Sequence, residues 1–185
     1  MTSPPSTRDR LLDAFSELLV AAGSRGATLD AVAATAGVSK GGLLYHFGTK
    51  DALVDGLLDR FRRMAGDDAR EMRTAPAGAT EYYLRTSVTQ QGDPLSRTAV
   101  AVLHLAQEGD PRASDAFTAA TEEWRAAIEE EVGDRVLSRV VQLVGDGLWA
   151  GSSIGVAPDD LDDVVAGVAA LLAAARAPRH AGPPA

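Results

Sequence analysis

The stretch Thr28–Leu53, TLDAVAATAGVSKGGLLYHFGTKDAL, decides the fold. Thr28 is a residue type that caps a helix, and Leu29, Val32 and Ala33 recur at the spacing of one helical face. Gly37 stops that helix, because glycine enters a positive φ without a steric cost. Ala36, Gly37 and Val38 supply a small residue, a free backbone and a buried aliphatic, as a tight turn between crossed helices requires. Ser39 caps the next helix, predicted from about Lys40 to Phe47, and Thr49 caps another. Leu43 and Phe47, four apart, turn inward and leave Lys40, Gly41, Tyr45 and His46 facing out. This spacing is that of a helix-turn-helix, the unit that lays its second helix in the DNA major groove.

The flanking chain reads as further helices. Ser6, after Pro4-Pro5 and three residues before Asp9, forms a capping-box pattern ahead of Leu11, Leu12, Phe15, Leu18 and Leu19, and Gly23 and Gly26 end that helix. Leu53, Leu57, Leu58 and Phe61 continue a helix from Thr49 towards Arg73, closed by Ala75-Pro76-Ala77-Gly78. Gly92-Asp93-Pro94 and Gly109-Asp110-Pro111 each combine a terminating glycine, an N-cap aspartate and a proline suited to a first turn. Gly133-Asp134 and Pro158-Asp159 mark two more starts, so helices are predicted at about 79–91, 94–108, 111–132, 134–152 and 159–175. No stretch alternates with period two, so the fold class is all-α. The predicted organisation is a helix-turn-helix domain over 1–48, a connecting helix over 49–74, a ligand-binding and dimerisation domain over 75–176 and a frayed tail over 177–185.

The run AGVSKGGLLYHFGTKDAL, Ala36–Leu53, resembles the signature of the TetR family of bacterial one-component repressors. The resemblance implies an all-α homodimer, with an N-terminal three-helix domain that reads an operator and a larger C-terminal helical domain that dimerises and binds an effector. Gly42 stands where that family usually carries Thr or Ala, and Leu44 where an aromatic is common. The DNA-facing set is then Thr28, Ser39, Lys40, Gly41, Gly42, Tyr45, His46, Thr49 and Lys50. Lys40 reaches phosphate or a guanine edge, and Tyr45 and His46 offer hydrogen bonds to phosphate and contact to a thymine methyl. Thr28 and Lys50 stand at helix N-termini, which suit phosphate oxygens. Gly41 and Gly42 cost a helix interior about 1 kcal/mol each relative to alanine, a cost with a purpose if the backbone must approach DNA closely.

Charge is distributed unevenly. The net charge of −8 opposes phosphate binding, yet residues 1–63 hold eight Lys/Arg against seven Asp/Glu, leaving ten against nineteen beyond them. Placed contacts therefore matter more than bulk field in the N-terminal part. With no cysteine, disulfides and thiolate metal sites are excluded. The three histidines are scattered, no phosphate-cradling glycine loop follows a strand, and neither metal nor cofactor is expected. MTSPPSTRDR lacks an apolar signal region and no window reaches the roughly 18 apolar residues of a membrane span, so a cytoplasmic protein is expected.

The last two helices carry wide apolar faces interrupted by Gly147, Ala150, Gly167 and Ala170. By resemblance they form a four-helix bundle across a two-fold axis, with Val140, Val144, Leu148, Leu161, Val165, Val168 and Leu172 at the dimer interface. Tyr83, His104, Gln107, Trp124 and Trp149, with Tyr82 and Gln90, are the aromatic and polar residues available to line an effector pocket. Few buried charges are evident, which favours a largely apolar or neutral effector. A competing signal is Gly151-Ser152-Ser153-Ile154-Gly155, which matches the G-x-S-x-G elbow of α/β-hydrolases and is followed by Asp160 and His180. The elbow requires a preceding strand, whereas VLSRVVQLVGDGLWA has helical periodicity. The expected function is an effector-released repressor that binds a pseudo-palindromic double-stranded operator. The alternative is a small helical enzyme or ligand carrier with a degenerate reading head.

Overall fold

Gly37 adopts φ 64°, and the turn it makes joins the two short helices that the sequence predicts. The computed structural model describes residues 5–88, 93–156 and 158–176. Among them are nine helices: α1 Thr7–Gly26, α2 Leu29–Thr35, α3 Lys40–His46, α4 Lys50–Thr74, α5 Ala79–Ser87, α6 Pro94–Gln107, α7 Pro111–Val132, α8 Arg135–Ser153 and α9 Leu161–Arg176. Most starts follow the predicted caps, whereas α9 begins at Leu161, two residues after its predicted start, and α5 ends at Ser87 rather than 91. Ser6 accepts from the Asp9 N–H at 3.1 Å, Asp93 from Ser96 at 2.5 Å, and Asp134 from Val136 and Leu137 at 2.8 and 2.9 Å. Each side-chain oxygen satisfies an amide that has no partner within its helix. The stretch predicted as a frayed tail, with His180, and Gln90 lie outside the described residues.

The helices pack as two units, Met1–Arg70 with Gln90–Glu123, and Glu71–Thr89 with Trp124–Ala185. This division differs from the predicted domain boundary near residue 75, because α6 packs on α1 and, with the first half of α7, falls in the N-terminal unit. α4 and α7 each contribute to both units. In the first unit Leu11, Leu12, Phe15 and Leu19 of α1 are fully buried, as are Leu43 of α3 and Leu53, Leu57 and Phe61 of α4. Phe61 stacks on Phe117, with centroids 5.8 Å apart. Arg60, only 8% exposed, ties three helices by donating to Asp13 of α1 at 2.6 Å and to the Thr98 hydroxyl of α6 at 3.2 Å. A buried guanidinium persists only when paired in this way.

The core of the second unit gathers Met72, Tyr83, Leu84, Ile128, Val132, Val141, Val165, Val168 and Leu172. Val165, Val168 and Leu172, expected at a dimer interface, thus face the interior of their own unit. Val144, Leu148 and Leu161 pack partly buried against the same core. The physical reason is that α8 and α9 each carry apolar residues on more than one face, and helical spacing does not say which of them turns inward. The outer face is Val136, Val140 and Leu143, exposed by 72%, 46% and 60%, and Leu171 of α9 is likewise exposed. Of the residues expected at the interface, only Val140 lies on it.

Candidate nucleic-acid interface

α3 is held at both ends and on one side. Ser39 accepts from the Gly42 N–H at 3.1 Å, the Phe47 N–H donates to the Leu43 carbonyl at 2.7 Å, and Leu43 and Phe47 are buried. Arg8 lies over the Phe47 ring, 5.1 Å from its centroid. The opposite side faces solvent. Tyr45 is 87% exposed and meets His46 edge to face at 5.2 Å, so the pair forms a shaped aromatic and hydrogen-bonding projection. Gly41 is exposed, and a Cβ there would meet nothing nearer than Ser39 Oγ at 4.0 Å. Packing within the chain therefore does not demand glycine at 41. At Gly42 the same oxygen would lie 3.3 Å away, so the N-cap itself favours a small residue.

Lys40 pairs with Asp30 of α2 at 2.9 Å, both side chains mostly exposed. Such a surface pair is worth about 0–1 kcal/mol, so exchanging Asp30 for a phosphate costs little. Thr28 and Thr49 are exposed and their hydroxyls cap α2 and α4, accepting from Ala31 at 3.2 Å and Ala52 at 3.1 Å. Eight of the nine predicted DNA-facing residues lie on α3 or at the N-caps of α2, α3 and α4. Lys50 differs. Its ammonium is part-buried and donates to the Ser24 carbonyl at the end of α1.

Sequence spacing did not reveal the charged groups around Lys50. Glu108, just after α6, accepts the Ser24 N–H at 3.0 and 3.2 Å through its two oxygens. The Ser24 hydroxyl and N–H hold its carboxyl below the usual range. Arg112 of α7 donates to Asp110 at 2.7 Å, Asp55 at 3.0 Å and Asp51 at 3.4 Å. Arg112 depresses the Asp110 pKa, and its own is raised chiefly by Asp110.

The five predicted effector residues are divided between the two units. Tyr83 and Trp124, in the second unit, tilt against one another with centroids 6.3 Å apart, and Trp149 is half-buried on α8. His104 and Gln107 are on α6, in the first unit. A residue not singled out from the sequence, Asp146, accepts the Tyr83 hydroxyl at 2.7 Å, and burial raises its pKa. Nothing in the spacing of α8 marks Asp146, because its role depends on a tyrosine 63 residues away. The G-x-S-x-G stretch is the end of α8 and its exit turn; Ser153 donates to the Ala150 carbonyl at 2.8 Å, and no strand precedes it. Among the described residues there is no cluster of histidine and carboxylate groups suited to a metal, and no helix is long and apolar enough to cross a membrane.

Comparison with known families agrees with this architecture. Residues 11–57 match the family described as "Bacterial regulatory proteins, tetR family", and residues 77–176 match "Tetracyclin repressor-like, C-terminal domain". The chain belongs to the TetR family of transcriptional regulators, which are DNA-binding proteins rather than enzymes. Solved structures share the fold. The multidrug binding protein EbrR complexed with malachite green is 21% identical, with a TM-score of 0.68 over 90% of this chain and 98% of that one. GusR of Salmonella enterica is 17% identical, with a TM-score of 0.67 over 94% and 98%. SmeT in complex with triclosan is 16% identical, with a TM-score of 0.68 over 92% and 91%. The comparison with curated proteins finds no match.

Proposed function

We propose that the protein is a repressor that binds a pseudo-palindromic operator as a homodimer and releases it when a small molecule occupies the second unit. The observation that carries the reading is the two-sided α3: Leu43 and Phe47 are anchored inside, while Lys40, Gly41, Tyr45 and His46 present an outer face for which internal packing has no use. A rigid helix with a polar, aromatic outer edge suits base and phosphate contact in a major groove. The exposed Val136, Val140, Leu143 and Leu171 supply the self-complementary apolar surface of a two-fold dimer. Two reading heads related by that axis engage half-sites about one helical turn apart.

The effector is a small, mostly apolar molecule with an aromatic ring. Tyr83 and Trp124 offer ring faces, with Asp146 hydrogen-bonded to the Tyr83 hydroxyl. EbrR and SmeT were solved with malachite green and triclosan, both small molecules, and their fold is shared. Such a protein works with the chromosome, in the cytoplasm. Selection of duplexes from a random-sequence library tests the reading. The expected result is enrichment of an inverted repeat bound by a dimer, with binding weakened by at least one aromatic compound. Failure to enrich any sequence would overturn it.

A further inference from the structure

The ammonium of Lys50 is part-buried and donates to the Ser24 carbonyl at the end of α1. At Gly23 the backbone of α1 turns to φ 65° and ψ −178°, which breaks its last turn. Ser24 beyond the break is gripped from both sides: its carbonyl accepts from Lys50 of α4, and its N–H donates to both oxygens of Glu108 at the α6–α7 corner. A Cβ on residue 23 would stand 2.7 Å from Glu108 Oε1, so glycine there serves the approach of the carboxylate as well as the positive φ. Four residues beyond Glu108, Arg112 reaches Asp51 and Asp55, in the first two turns of α4. Ser24, Lys50, Asp51, Glu108 and Arg112 line a cavity of about 340 Å³ at the start of α4. Thr49 already caps α4, so the helix does not need this network in order to begin.

We propose that Lys50, Glu108 and Arg112 are positioning residues for DNA recognition: they form an ionic lock through which the α6–α7 corner and the broken end of α1 fix the direction of α4 where the helix-turn-helix joins it. The inference rests on the DNA-binding reading above. It replaces a phosphate contact by the Lys50 ammonium with an internal one. Phe47, Gly48 and Thr49 are the whole connection between α3 and α4, so a change in the direction of α4 moves the reading face of α3.

Charge separates this lock from its alternative. Glu108 is an acid near a DNA-facing corner, and if it had no positioning role, removing its charge would leave DNA affinity unchanged or raise it. The lock gives the opposite sign. The test uses the full chain and its Glu108→Gln, Lys50→Met and doubly substituted forms, with a duplex enriched by the wild-type protein from random DNA. Affinity is measured between 50 and 200 mM salt, and amide hydrogen exchange is followed at Ser24.

Glu108→Gln is expected to weaken specific binding by about tenfold, the scale of a lost charge-assisted hydrogen bond, with dimer mass and helical content unchanged. Lys50→Met should do the same without lowering the salt slope, and the double variant should be little worse than either single one. Ser24 should exchange faster in Glu108→Gln with no DNA present. Equal or tighter DNA binding by Glu108→Gln, or unchanged exchange at Ser24, would overturn the lock. So would a salt slope lowered by about one unit per half-site in Lys50→Met, the mark of a lost phosphate contact. A wild type that enriches no duplex would overturn the DNA-binding reading and the positioning role with it, whereas slow Ser24 exchange would still report the closed corner.

Discussion

Both units combine an apolar core with polar bridges between helices, Tyr83 to Asp146 and Arg85 to Asp162 in the second as Arg60 to Asp13 in the first, but they differ in the surface they present. In the first, polar groups bridge distant helices: Arg60 joins α1, α4 and α6, while Glu108, Lys50 and Arg112 converge on one corner. In the second, an apolar core occupies one face of α8 while Val136, Val140 and Leu143 stand exposed on the other. Directional bonds fix orientation, which a reading head needs. Exposed apolar area is relieved by association, which the proposed dimer would supply.

Substituting the two faces in the second unit gives the largest effects. Val168→Glu would bury an unpaired charge in the core, a cost above about 5 kcal/mol that unfolds the unit. Leu143→Glu, on the exposed face, should instead yield a folded monomer. Circular dichroism with sedimentation checks both, and loss of helix in Leu143→Glu would show that the faces had been exchanged.

In the first unit the same contrast lies across α3. Phe47→Ala removes a buried ring, and about 3–5 kcal/mol of stability should go with it, read from denaturant midpoints. Tyr45→Ala should leave that midpoint unchanged while costing about 1–3 kcal/mol of operator binding per half-site, read by titration with the selected duplex. Equal losses of stability in the two variants would remove the distinction between anchor and reader.

The smallest expected effect is a difference in the sign of pH dependence. Glu108 and Asp110 have depressed pKa values, so their stabilising contribution is present above the ordinary carboxylate range and is lost as pH falls through their folded values. Asp146 is raised by burial, so its contribution is full below the ordinary aspartate pKa near 4 and is lost as pH rises through its folded value. Asp146→Asn, which keeps an acceptor for the Tyr83 hydroxyl, should therefore raise the melting temperature slightly at pH 7 and not at pH 3.5. Glu108→Gln should lower it at pH 7 and converge with wild type in acid. Thermal scans across pH check both, and a gain that persists at pH 3.5 in Asp146→Asn would contradict the assigned cause.

The helix-turn-helix was legible residue by residue. Thr28, Ser39 and Thr49 cap helices as their types and positions predict, Gly37 takes the positive φ, and Leu43 and Phe47 are buried opposite Tyr45. The effector residues were less legible. Tyr83 and Trp124 come together, but His104 and Gln107 belong to the other unit, because aromatic or polar character says nothing about which helices pack.

By itself the sequence determined the helices, most of their starts and the outward face of α3. Caps, glycine turns and helical periodicity act within a few residues and are written locally. Only the tertiary structure decided which apolar face of α8 turns inward, and that the Lys50 ammonium serves α1. Those choices depend on partners far along the chain, 26 residues from Lys50 to Ser24 and 84 from Ser24 to Glu108, whose meeting no local pattern encodes.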